Sequence, residues 1–117
     1  MITITNAPPN RGEIMKNTVL WFLKFFKLPT DLNVHVAVQR HKGCYGTCQE
    51  LEGLEGWEIT VDPRLGLRDL ISTLIHEMVH VWQWASGSWE GDGEREAERL
   101  SGLLTPVFMA EYFGTKI

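Results

Sequence analysis

With 117 residues the chain has room for one domain and not for two, and 44% hydrophobic with 22% charged residues is the composition of a globular protein rather than a disordered one. The formal net charge of −4, with no Lys/Arg cluster longer than a pair, lacks the basic footprint of a nucleic-acid binder, so no nucleic-acid partner is expected. The longest apolar stretch, residues 19–26, is interrupted by Lys24 and is too short to span a bilayer, while residues 1–5 lack the plan of a secretory signal; no membrane partner and a cytoplasmic location are expected.

Residues 2–5 alternate in the manner of a short strand and are followed by the break at Pro8 and Pro9. Residues 13–28 read as a helix: Ile14, Met15, Val19, Phe22, Phe25 and Phe26 form an apolar face, Lys16, Lys24 and Lys27 lie opposite, and Pro29 stops it. In residues 33–39, Val34, Val36 and Val38 alternate with His35 and Ala37, the pattern of a half-buried strand. Residues 43–51 and 57–61 are two further strands joined by the Gly-rich turn 52–56, and Asp62-Pro63 ends the sheet. A second helix covers 67–84 with the stripe Leu67, Leu70, Ile71, Leu74, Met78, Val81 and Ala85; a loop follows, and a third helix covers 94–112 with Ala97, Leu100, Ser101, Leu104 and Phe108 inward. The expected fold class is α+β over residues 1–117: a small, mainly antiparallel sheet, a backing helix, a motif-bearing helix and a C-terminal glutamate helix.

Chemistry concentrates in His76-Glu77-Met78-Val79-His80. Histidines four apart on a helix share a face and can reach one zinc ion, while Glu77 between them projects toward the same side. A carboxylate there suits a general base: zinc acidifies a water molecule, and the carboxylate takes its proton and passes it to a leaving amine. By helical geometry both histidines lie opposite the apolar stripe. A solvated His/Glu/His face would carry the same spacing, so context matters: the motif lies mid-helix, after a strand and before an acidic helix.

A catalytic zinc takes three protein ligands and keeps one open position. No histidine follows His80, and His35 and His41 read as a strand residue and a turn residue. The third ligand is therefore sought among Glu90, Asp92, Glu94, Glu96, Glu98 and Glu111. Glu94 lies nearest the inward face of its helix and is favoured over Glu96, although carboxylates in a first turn also oppose the helix dipole and Asp92 or Gly93 makes a cap.

Residues 72–82 resemble the active-site helix of the SprT-like zinc peptidases, but those proteins supply a third histidine downstream and this chain has none. Glu94-Arg95-Glu96-Ala97-Glu98 is similar instead to the glutamate helix of gluzincins. The resemblance implies a minimal zincin metallopeptidase with Zn2+ on His76, His80 and Glu94, Glu77 as base, and Glu98 orienting a histidine ring; Glu96 fits a variant register. It also implies a peptide or protein substrate laid along an edge strand, for which residues 43–51 are the candidate. The oxyanion stabiliser stays open among Tyr45, Arg95, Arg99 and Tyr112. Trp82, Trp84 and Trp89 suit either a cleft wall or the core, and Cys44 and Cys48 read as ordinary reduced thiols. The competing expectation is a catalytically inactive zincin-fold binding module with structural zinc or none.

Overall fold

A computed structural model describes residues 1–40, 43–51, 56–89 and 91–114; residues 52–55 of the turn expected at 52–56, His41 and Glu90 lie outside the described residues, and Gly56 already belongs to a strand. The chain runs β1 (Ile2–Thr5), α1 (Pro9–Phe25), β2 (Asn33–Val38), β3 (Gly46–Glu50), β4 (Gly56–Val61), α2 (Leu67–Ser86) and α3 (Glu94–Phe113). This is the α+β layout expected from the sequence, in the expected order.

The sheet is mixed, with strand order β1-β2-β4-β3. The β1–β2 and β2–β4 ladders are parallel and only β3–β4 is antiparallel, so the expectation of a mainly antiparallel sheet is corrected. The cause is connectivity. Helix α1 carries the chain back to the starting end of the sheet, which makes β1 and β2 parallel. Strand β3 then reverses at the edge, so β4 enters the centre running with β2.

Helix α1 starts earlier than expected, at Pro9, because the first helical turn needs no N–H donor and tolerates proline. It ends earlier, capped at Phe26 and followed by Lys27 at φ 56°. The inner sheet face supplies Val34, Val36, Ile59 and Val61 to the core; α1 adds Met15, Val19, Phe22 and Leu23, and α2 adds Leu70, Ile71, Leu74, Ile75 and Met78. The opposite face is polar. There His35 bonds Thr5 Oγ1 at 3.2 Å and meets Glu58 at 3.6 Å, and Thr47 bonds Thr60 across the β3–β4 pair.

Helix α3 packs on the far side of α2 and reaches α1 through Trp21, whose ring meets Phe108 at 5.4 Å and whose Nε1 donates to Glu111. It continues through Pro106. An interior proline costs about 3 kcal/mol, and burying Leu104 and Phe108 returns roughly 1.5–3 kcal/mol each, so packing decides in favour of the helix. With α3 laid over it, α2 is enclosed on most sides. His80 is only 8% exposed, so the histidine face expected to point away from the core is covered.

Candidate metal centre

His76 and His80 lie one turn apart on α2 with ring centroids 5.1 Å apart. The loop after α2 returns the chain so that Glu94 opens α3 directly opposite them. Asp92 Oδ1 accepts the Glu94 backbone N–H at 3.0 Å, satisfying a donor that has no partner inside the helix. Glu94 Oε2 then lies 2.9 Å from His76 Nε2, and Oε1 lies 3.0 Å from His80 Nε2. One ligand atom from each of the three residues falls within 4.8 Å of the others. Ligand atoms around a tetrahedral zinc with bonds of about 2.0–2.1 Å stand roughly 3.3 Å apart, so this donor set could hold such an ion without large movement.

The imidazole of His80 is held by a residue that the sequence did not single out. Gln83 Nε2 donates to Gly93 O at 3.0 Å and to Glu96 Oε1 at 3.0 Å. Both partners only accept, which fixes that end of the amide as NH2 and turns Oε1 toward His80 Nδ1 at 2.8 Å. His80 therefore donates from Nδ1, which leaves Nε2 as the ring atom directed at Glu94 and free to serve as a metal ligand. Carbonyl-type oxygens commonly orient metal-binding histidines in this way. Gly93 makes the approach possible: its φ is 75°, and a Cβ there would stand 2.4 Å from Gln83 Oε1.

Beside the triad a cleft of about 530 Å³ opens between the start of β3, α2 and α3. Cys44, Tyr45 and Gly46 line one wall, and Ser72, Thr73, His76 and Glu77 line the α2 side. Glu94, Glu98, Ser101 and Gly102 line the α3 side. Strand β3 is one of the two edge strands of the sheet and touches α2 at Gly46, where a Cβ would come within 2.7 Å of Thr73 Cγ2. Glycine is what lets the edge close down there.

Glu77 faces this cleft, 8% exposed, with no hydrogen-bond partner among the described residues. Burial raises its pKa above the usual carboxylate value; the neighbouring His76 and His80 oppose the rise and the Glu94 charge adds to it. A carboxylate so placed is a proton acceptor held next to the triad without belonging to it. Cys48, on the same side of β3, is pushed up to about 12 by burial and by the nearby Glu77, and behaves as a small apolar group.

The structure thus brings together His76, His80, Glu94 and Glu77. Glu96, the variant third ligand, is turned away onto Gln83. Glu98 lines the cleft, and the ring-orienting place expected for it is held at His80 by Gln83. His35 stays with Thr5 and Glu58 on the outer sheet face. Of Tyr45, Arg95, Arg99 and Tyr112, Tyr45 alone lines the cleft, while Tyr112 stacks on Phe108 at 5.4 Å. Trp82 packs on Phe26; Trp89 flanks His80 at 5.7 Å and also meets Trp84 at 6.0 Å. No helix among the described residues is long and apolar enough to cross a membrane. Comparison of the chain with protein-family models, curated proteins and solved structures finds no match.

Proposed function

We propose that this chain is a zinc-dependent metallopeptidase, a minimal zincin of gluzincin type. The observation that carries the reading is the pairing of two distinct groups in one cleft: three donors within 4.8 Å of one another, and beside them the buried carboxylate of Glu77, which has no hydrogen-bond partner among the described residues. A binding module with a structural ion has no need of the second group.

His76 Nε2, His80 Nε2 and Glu94 would hold zinc, which when bound supplies Lewis acidity to a water molecule and to the carbonyl of the scissile bond. Gln83 fixes the ring of His80 in the tautomer that exposes Nε2. Glu77, with its proton affinity raised by burial, takes a proton from the attacking water and delivers it to the leaving amine. The free edge of β3 offers backbone groups to an extended peptide, and Gly46 brings that edge against Glu77. A cytoplasmic setting belongs to the same proposal and rests on Cys44 and Cys48, which form no disulfide.

Glu77→Ala is the deciding variant. It should keep one zinc per chain by elemental analysis and lose turnover of a quenched peptide library by at least ~100-fold. The same inert protein should show slowed exchange of the β3 amides when a peptide binds. Retained turnover would sink the mechanism; a zinc-loaded wild type inert on every peptide would favour the alternative, a binding module with a zincin-like fold.

A further inference from the structure

The far end of the cleft contains a carboxylate for which the reaction has no use. Glu98 follows Glu94 by four residues, so its carboxylate faces the same side about one helical turn further along α3, roughly 6 Å. It is exposed, lines the cleft, and has no side-chain partner among the described residues. Among the described residues no Lys or Arg lines that cleft. Around the triad the charges largely cancel: a divalent cation would offset Glu94 and Glu77, and the imidazoles are neutral as ligands. Glu98 is the surplus negative charge.

The same wall leaves room beside that carboxylate. Ser101 and Gly102 follow it along the cleft, and a Cβ built on Gly102 meets nothing within 4 Å. The cleft thus holds the buried acceptor Glu77 on its α2 side and the exposed carboxylate of Glu98 on its α3 side.

We propose that Glu98 forms a subsite for a positively charged group of the substrate, an ammonium or guanidinium near the scissile bond. This rests on the peptidase reading and adds a substrate class to it. A peptide advances about 3.3 Å per residue in extended form, so a group one helical turn from Glu94 belongs to a residue within one or two of the cleaved bond. Two sources carry that chemistry: a Lys or Arg side chain, and the free amino terminus.

The test measures binding without turnover. Full-length zinc-loaded Glu77→Gln protein is titrated, by amide chemical shifts, with N-acetylated seven-residue alanine peptides whose central residue is Lys, norleucine or Glu, and with the norleucine peptide left unacetylated. The Lys peptide should bind about tenfold more tightly than the acetylated norleucine peptide, the scale of one partly exposed charge-assisted hydrogen bond, and should shift the Glu98 and Gly102 amides. Adding Glu98→Gln should erase the preference, and Glu98→Lys should transfer it to the Glu peptide, with zinc content and circular dichroism unchanged. If the unacetylated norleucine peptide matches the Lys peptide, the amino terminus is the source; if it does not, the side chain is. Equal binding of all four peptides, a Lys preference that survives Glu98→Gln, or shifts confined to other regions would overturn the subsite. Charge-selective binding by a chain that cleaves nothing would remove the peptidase reading alone, and cleavage with no charge preference would remove the subsite alone.

Discussion

Gln83 is where His76 and His80 stop being equivalent. His80 is buried and bonded through Nδ1, whereas His76 lies closer to solvent and meets Glu94 through Nε2. Replacing Gln83 by Met keeps the side-chain length and removes three hydrogen bonds at once, those to His80, Gly93 and Glu96. Zinc affinity, measured by competition with a chromophoric chelator, should fall about 10–100-fold, and unfolding stability should fall by roughly 1–3 kcal/mol. An unchanged affinity would mean that the His80 ring is held by packing against Trp89 rather than by the amide. The motif residues were legible because a spacing of four on a helix forces two side chains together. Gln83 was not legible: its role depends on where Gly93 and Glu96 return, and a helical wheel drawn for each helix alone contains no information on that return. The same gap left Glu96 open as a ligand until its carboxylate was found on Gln83.

Among the elements, the junction between β4 and α2 sets the angle at which the motif helix leaves the sheet. Asp62 carries it. Its side chain is fully buried and accepts from the Arg64 backbone N–H at 2.8 Å, Nε at 3.0 Å and Nη2 at 2.6 Å. The side-chain hydrogen bonds from Arg64, and then its backbone N–H, hold the carboxyl down from 3.8 to about 2. A folded-state pKa below the unfolded one contributes stability above the unfolded value, and that contribution fades as pH falls through the folded one. Wild type should therefore exceed Asp62→Asn in melting temperature at neutral pH, with the gap closing between about pH 4 and pH 2. A gap that stays constant to pH 2 would show that the buried contact acts through shape and not through charge. Element positions were largely readable, since periods of 2 and 3.6 mark strands and helices directly. Ladder direction was less readable: the strand–helix–strand order of β1, α1 and β2 implies a parallel pair, whereas the short connection from β3 to β4 accounts for the antiparallel pair alone.

At the scale of the molecule, the candidate ion joins two parts that the core holds unequally. The sheet, α1 and α2 share one hydrophobic core, whereas α3 adds Ala97, Leu104 and Phe108 to it from the outside and depends on α2 and on Trp21 of α1. Two of the three candidate donors lie on α2 and one on α3, so an ion held there would bridge α3 to the core at its first residue. Without the ion, the Glu94 carboxylate meets two imidazoles across a half-exposed contact, which contributes little net energy. Binding that favours the folded state adds about 4 kcal/mol when free zinc stands a thousandfold above its dissociation constant. For a chain of this size that corresponds to a rise in melting temperature of roughly 10–20 °C. Zinc should produce such a rise, chelation should reverse it, and Glu94→Ala should abolish it while leaving the chelated protein nearly as stable as wild type. Hydrogen exchange should locate the effect: in the chelated protein the amides of α3 should open well before those of β2, β4 and α2. If α3 is equally protected with and without zinc and the melting temperature ignores both zinc and chelator, the three donors do not act together, and the link between metal, fold and cleft is broken at its first step.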